Sequence, residues 1–434
     1  MTNQQIYWHT TVQMPDDSNL APIPEKVDVA VIGGGFTGLS AARTLAKRGV
    51  KVAVLEAETI GWGASSRNGG MTLTGLKASM QTVFKKYGRD LARKLFHCSL
   101  ESVDTVEQIV NEENIDCGFK RVGHLLTASK PKHYDGFKRE VDFMAREFNH
   151  AVRLVPQKQL RDEIGSASYY GALVDEVSGG LNPAQYVTGL ARAAEKAGAT
   201  LHARARVNSL ERASSPLKAG GTRFYIQSER GALTAESVLV GTSGYTGRVT
   251  RNLQERIIPI GSFIIATEKL SDELAHELSP KKRMIFDSMH YLNYFRLWDN
   301  RMIFGGRAAF FPENKNTIAR SAEILRREMI EVYPQLKDVK VEYVWGGTLD
   351  FAFDMMPHTG EVDGIHYSLG YAGHGVAMAT YLGRTVAESM LKGDIKQHPF
   401  NLCPFPTAPL GLYNGFPWFL PLAGAWHKLL DWVE

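Results

Sequence analysis

Between Val27 and Glu56, three glycines and one acid occupy positions where each can do chemistry. The run Gly33-Gly34-Gly35-Phe36-Thr37-Gly38 follows an apolar stretch, Val27 to Ile32. It opens a helical stretch with Leu39, Ala42, Leu45 and Ala46 on one side. Gly33 permits a tight turn, Gly35 lets the backbone approach a pyrophosphate, and Gly38 lets the helix pack on the strand. The helix start, with Phe36 and Thr37, turns free N–H groups and a positive dipole end toward phosphates. Arg48-Gly49 breaks the helix, and a second apolar run, Val50 to Leu55, delivers Glu56, followed by Ala57. A carboxylate there can accept ribose hydroxyls. The elements that position these residues form a complete strand–glycine loop–helix–strand unit. That unit binds an ADP-containing cofactor, and NAD and FAD both use it.

Directly behind the second strand, Ile60 to Gly70 packs glycines, small hydroxyls, one arginine and one asparagine. Gly63, Ala64, Ser65, Arg67, Asn68, Gly69 and Gly70 can wrap a second portion of ligand, with Arg67 facing negative charge. This GASSRNGG run resembles the D-amino-acid-oxidase-like superfamily of FAD-dependent amine oxidoreductases, and most of all its gamma-glutamylputrescine oxidoreductase type. A second glycine loop, Gly370 to Gly383, strengthens the resemblance. In that superfamily the matching helix start faces the pyrimidine edge of the flavin, which implies that Gly373, His374, Gly375, Val376 and Ala377 approach it. Reduced flavin is anionic near N1, and a helix N-terminus stabilises that charge. Val207 resembles the family valine whose backbone holds adenine, and Val238 to Gly244, with Thr242, resembles the loop past the ribityl chain. Trp345-Gly346-Gly347-Thr348, with Asp354 and Pro357, resembles the loop over the dimethylbenzene side. The resemblance spans about Val27 to Pro399. Some relatives attach flavin through a cysteine in the part matching Trp345 to Asp354; none stands there, so FAD is expected to be non-covalent.

The chain has 434 residues, 44% of them hydrophobic, enough for two domains rather than one core. Fifty basic and 46 acidic residues leave a formal charge of +4, without the basic stripe that nucleic acid requires. Lys281-Lys282-Arg283 reads as a solvated turn. Cys98, Cys117 and Cys403 are too scattered for a disulfide framework or a metal site, so reduced cytoplasmic thiols are expected. The N-terminus has no signal-peptide pattern. Leu410 to Trp426 is apolar and aromatic but too short and too interrupted by prolines to span a bilayer. It either packs on the protein or a partner subunit, the favoured reading, or forms a peripheral foot on the inner face of a membrane.

An α/β (α+β overall) architecture is expected, with a discontinuous Rossmann-like FAD domain from 1–80, 145–250 and 345–400. Residues 81–144 and 251–344 would build a substrate domain on a mostly antiparallel sheet, and 401–434 the apolar tail. Phe84 to Glu113 reads as one helix, and Asn182-Pro183 starts another. Arg256–Thr267, Met284–Asp287, Tyr291–Leu297, Arg301–Arg307 and Val341–Trp345 read as strands.

The resemblance implies oxidation of a primary or secondary amine by hydride transfer to flavin, then imine hydrolysis. An aromatic pocket favours the neutral amine that this step requires. Phe263, Tyr291, Tyr294, Phe295, Trp298 and Trp345 are candidates for it, of which strand alternation allows about half. Arg307 falls near a lysine that sarcosine-oxidase-like relatives keep over the flavin; there it would assist oxygen or hold a substrate acid, and an ion pair is its structural alternative. Arg296 is a second candidate of that kind. His374 either lines the pocket or satisfies local backbone. Ala377 stands where sarcosine oxidases carry a carboxylate-binding lysine, which argues against a small α-amino acid. Tyr294, Trp345, Arg307 and His374 are the expected catalytic group. Molecular oxygen is the expected electron acceptor and a quinone the alternative. Two further alternatives remain, a D- or N-methyl-amino-acid oxidase or dehydrogenase and a non-catalytic flavoprotein subunit.

Overall fold

The computed structural model of the chain describes residues 3–15, 21–213, 224–306, 314–408, 411–422, 424 and 431. Lys26–Ile32 lies at the centre of the first sheet, in parallel between Val52–Leu55 and Gly231–Val240. Thr200–His202 extends the sheet beyond Val52–Leu55, and Ile365–Leu369 extends it beyond Gly231–Val240. Both faces of these strands are covered, so they read as continuous apolar runs rather than alternating ones. Val29, Ala30 and Val31 are all buried.

Two helices converge on this sheet with their N-termini at the same place. Phe36–Ala46 follows the first glycine loop and Gly375–Lys392 follows the second. They meet through Gly383, where a Cβ would clash with the Thr37 carbonyl oxygen. The Ser40 hydroxyl donates to the Thr380 carbonyl at 2.6 Å. The helix Pro183–Lys196 packs on the other side of Phe36–Ala46, its start capped by Asn182, which accepts from Ala184 and Gln185.

The second sheet runs in the order Val341–Ala352, Ile257–Thr267, Arg301–Gly306, Asn293–Trp298, Met284–Asp287, His124–Thr127, Gly171–Asp175, Arg153–Pro156. Its pairings are antiparallel except that of Met284–Asp287 with His124–Thr127. One face is sealed by the helix Lys315–Val332, with Phe263, Phe295, Phe304, Leu325 and Met329 between them.

Several expectations shift. The helix from Phe84 is two helices, Met80–Tyr87 and Arg89–Glu112, because Gly88 adopts φ +80° between them. Arg89–Glu112 packs on Gly375–Lys392 rather than serving the substrate side, and Arg43 ties its end down through Glu113 at 2.5 Å. Arg153–Pro156 and Gly171–Asp175 join the second sheet, so the division at residue 145 moves; strands of four or five residues carry too little pattern to declare a sheet. Val341–Ala352 runs straight through the division at 345. Asn293–Trp298 starts later than read because the Asp287 carboxyl holds the Met289 and Asn293 N–H groups in a turn before it. Arg283 is buried, not solvated, and pairs with Glu163 at 2.6 Å and Glu176 at 2.7 Å. Although burial pushes Glu163 up, its bonds to Arg283, Lys281 and Arg153 hold it down at about 2. In the tail, Tyr413 is buried against Ile258 and donates to the Ile257 carbonyl, while Phe416, Trp418 and Leu422 are exposed. No helix among the described residues is long and apolar enough to cross a membrane.

Candidate active site

A cavity of about 960 Å³ lies where the two glycine loops meet the second sheet. That is at the upper end of the ~300–1,000 Å³ that houses ligands and cofactors. The first glycine loop forms its floor. A Cβ on Gly33 would stand 2.8 Å from the Gly241 carbonyl, and one on Gly35 2.8 Å from the Ser65 hydroxyl. Gly38 packs rather than lines, since its Cβ would meet the Gly33 carbonyl. The helix behind carries no side-chain cap of its own, and Ser65 accepts from the Phe36 N–H at 3.0 Å. Glu56 points one oxygen at the Gly34 N–H (2.7 Å) and the other at the Glu58 N–H (2.9 Å). Burial pushes its carboxyl up, while backbone hydrogen bonds from Glu58, Gly34 and Ala57 pull it the other way.

The loop from Gly61 to Gly70 is braced from outside. Asn68 accepts from the Gly70 N–H and donates to the Ala64 and Ser65 carbonyls. The Trp8 indole donates to the Asn68 carbonyl at 2.9 Å, and His9 meets Ser66 at 2.9 Å. Arg67 donates to the Trp62 carbonyl and stacks 4.2 Å over the Trp62 ring. Across the cavity, Gly370 and Gly373 take positive φ. The Asp350 carboxylate, pushed up to about 6 by burial, accepts the Gly370 N–H at 2.6 Å. The Tyr371 hydroxyl meets Thr37 Oγ1 at 2.7 Å and so joins the two loops directly.

The expected cofactor residues Gly33, Gly35, Phe36, Thr37, Glu56, Ala57, Gly63, Ala64, Ser65, Arg67, Asn68, Gly69, Val207, Thr242, Gly373, His374, Gly375 and Val376 all line this cavity. Gly70, Gly346 and Ala377 stand behind it. Gly70 serves the turn, at φ +69° and against the Leu181 carbonyl. Gly346 sits in the sheet opposite Phe263, and Ala377 is buried in its helix. Of the expected catalytic group, Tyr294 and His374 line the cavity. Trp345 does not: it is buried in the layer behind, its indole donating to the Arg67 carbonyl at 2.8 Å. Arg307 lies outside the described residues. Phe263 and Phe295 point away, into the core under Lys315–Val332. Trp298 packs edge-on to Trp8, and Tyr291 lines the cavity. Arg296 is fully enclosed. It donates to the Gly70 and Leu181 carbonyls at 2.6 and 3.1 Å and stacks on Trp298, with burial pulling it down to about 9. It holds a loop rather than a ligand.

The roof is Phe286, Met289, Tyr291 and Tyr294, with Ile260 and Ile264 beside them. The Tyr294 hydroxyl meets Ser262 at 3.1 Å, and burial lifts it to about 12. His374 caps the second helix, and its buried Nδ1 has no hydrogen-bond partner. Burial, then the charges of Lys77 and His124, pull its imidazole down to about 3. Lys77 and Asp350 escape sequence reading. Lys77 lies in an undistinguished run behind the Gly69-Gly70 turn, and Asp350 looks like an ordinary strand polar residue.

The glycine cradle, the Glu56 carboxylate in the cavity wall and the orphaned His374 nitrogen fit a dinucleotide stretched between both loops, with a flat ring system under the roof. FAD has that shape. The DAO family, FAD dependent oxidoreductase, matches residues 28–389. The chain belongs to that family. It is 33% identical to gamma-glutamylputrescine oxidoreductase of Escherichia coli (strain K12), over 93% of this chain and 92% of the relative. The crystal structure of glycine oxidase from Geobacillus kaustophilus superposes with TM-score 0.71 at 20% identity, covering 89% of this chain and 99% of that one. L-proline dehydrogenase from P. horikoshii superposes with TM-score 0.68 at 20% identity, covering 88% and 98%. As a DAO-family protein, the chain is an FAD-dependent oxidoreductase, and Gly33, Gly35, Glu56 and His374 all line its cavity.

Proposed function

We propose that this protein oxidises a primary or secondary amine at its C–N bond, with gamma-glutamylated amines, polyamines and N-alkyl amines as the leading classes. The observation that carries this reading is the mostly apolar roof of Phe286, Met289, Tyr291 and Tyr294 in the cavity that His374 also lines, with the Phe286 ring 6.4 Å from the His374 ring. Bound FAD supplies a two-electron acceptor for the hydride on the carbon next to nitrogen, and water then hydrolyses the imine. The roof's task is to make the amine ready. A free alkyl amine resembles Lys, with a pKa of about 10.4, and is an ammonium at neutral pH. Apolar walls disfavour that charge and favour the neutral amine. The neutral His374 adds no positive charge that would repel a residual ammonium. The Gly375–Lys392 helix start stabilises negative charge that develops beneath it. Homology to gamma-glutamylputrescine oxidoreductase supports the amine class.

Molecular oxygen is the acceptor in this reading. Under air, each carbonyl formed should be matched by one hydrogen peroxide, and in ¹⁸O-labelled water the carbonyl should carry the label. A carbonyl labelled from ¹⁸O₂ would refute imine hydrolysis. Carbonyl formed only when a quinone is supplied, without peroxide, would make the protein a dehydrogenase.

A further inference from the structure

The apolar C-terminal segment is part of the cavity wall. Phe419, Leu420 and Gly424 line the cavity, whereas Trp418 and Leu422 beside them are 54% and 70% exposed. One side of this stretch meets the cavity and the other meets solvent, with a single layer of chain between. Its inner side continues the roof sheet. Ile258, Ile260, Ser262 and Ile264 are alternate residues of the strand Ile257–Thr267, and all four line the cavity. Phe419 and Leu420 join Ile258 and Ile260 in one apolar cluster. Gly424 comes so close to the roof that a Cβ on it would clash with the Tyr291 hydroxyl oxygen. Two anchors hold the stretch. At one end the buried Tyr413 donates to the Ile257 carbonyl at 2.7 Å and packs edge-on to Phe353 and Phe419, with centroids 5.5 and 5.9 Å away. At the other end the Asp431 carboxylate accepts the His290 N–H at 2.9 Å and the Tyr291 N–H at 3.0 Å, and the Lys130 ammonium donates to the Asp431 carbonyl. His290 and Tyr291 belong to the roof turn whose Met289 and Asn293 N–H groups are held by Asp287. Two carboxylates thus divide four N–H groups of that turn, and one of the two comes from the C-terminal segment.

We propose that the C-terminal segment sets substrate specificity: Phe419 and Leu420 limit the bulk of the group that the amine carries, and Asp431 is a positioning residue that holds Tyr291 in the roof. This rests on the amine-oxidising reading above. An apolar wall discriminates by size, at about 10–200-fold for each methylene that it must accommodate or leave out. A displacement of about 1 Å in a group that orients the substrate costs about a hundredfold in rate. Asp431 touches only backbone N–H groups, so it acts through the Tyr291 ring and not on the substrate itself.

The test uses the flavin-loaded protein and its Phe419→Ala, Leu420→Ala, Asp431→Ala and Tyr291→Ala variants, with the exposed Leu422→Ala as control. Each is first checked for flavin content and melting temperature. Aniline and 4-butylaniline have no hydrogen on the carbon that bears nitrogen, so they bind without being oxidised, and the visible flavin spectrum reads their dissociation constants. Phe419→Ala and Leu420→Ala should each tighten 4-butylaniline relative to aniline at least about tenfold, the scale of one accommodated methylene. Leu422→Ala should leave that ratio within about twofold, as a surface change does. Asp431→Ala should lower the limiting rate of anaerobic flavin bleaching by butylamine at least about tenfold. Added to Tyr291→Ala, it should cost less than about threefold more, because both changes act through one side chain. A ratio unchanged in both wall variants, or changed equally in Leu422→Ala, overturns the role of the wall. So does a flavin spectrum that neither aniline perturbs in the native protein or in either wall variant. Full additivity of Asp431→Ala with Tyr291→Ala, or a bleaching rate that Asp431→Ala leaves unchanged, overturns the positioning role. If no amine bleaches the flavin, the amine-oxidising reading fails, while the aniline ratios still decide whether the segment limits what the cavity holds.

Discussion

Glu56 illustrates how a single residue reads in sequence and in space. Its place at the end of a strand makes it the expected ribose acceptor, and in the structure two backbone N–H groups aim its oxygens. Glu56→Ala removes the acceptor for ribose hydroxyls. Hydrogen bonds to a charged group contribute about 1.5–3 kcal/mol each, so one such loss should weaken FAD binding roughly tenfold to a hundredfold. Flavin retained through gel filtration would measure this, and with non-covalent FAD acid precipitation releases all of it from either protein. His374 carries a pH signature. The folded chain keeps it near 3 whereas an unfolded histidine titrates near 6.5, so the unfolded state gains protons first as pH falls. Stability from this residue is therefore present above about pH 6.5 and is lost progressively between 6.5 and 3. At pH 5.5 the loss is about 1 kcal/mol. His374→Asn should shrink the drop in melting temperature between pH 7.5 and 5.5, and an unchanged drop would show that His374 is not buried neutral. Lys77 and Asp350, by contrast, carry no sequence signal, because what sets them apart is burial in a wall that forms only when distant segments meet.

At the scale of elements, the site depends on two helices whose starts must share one cavity. Gly383 sets their spacing against the Thr37 carbonyl. Gly383→Ala gains up to ~1 kcal/mol of helix propensity, but overpacking costs about 1–3 kcal/mol, so the second effect wins. The variant should melt lower and lose FAD, whereas a higher melting temperature with full flavin would show that the helices are free to separate. The glycine loops and the strands beside them were legible because parallel, two-sided burial demands unbroken apolar runs. The break at Gly88 was not, since the flanking residues keep helical periodicity through it. The Arg153–Pro156 and Gly171–Asp175 strands were equally hidden, being short, and Gly171–Asp175 joins the sheet through the much earlier His124–Thr127.

For the whole molecule, one sheet leads into both glycine loops and the other roofs the cavity, and the chain crosses between them several times. The DAO-family membership and FAD follow from two glycine motifs more than three hundred residues apart, Gly33 and Gly373. The Arg296 guanidinium, expected as a candidate over the ligand, turned out to hold Gly70 and Leu181 because a strand gives no hint of which face meets a loop. The central claim is that reducing equivalents enter from an amine. Its most direct test is anaerobic stopped-flow mixing of the flavin-loaded protein with a panel of amines, α-amino acids and NADPH. Loss of the oxidised-flavin absorbance near 450 nm with amines, and not with NADPH, is the predicted result. Bleaching by NADPH alone, or by α-amino acids alone, would contradict it.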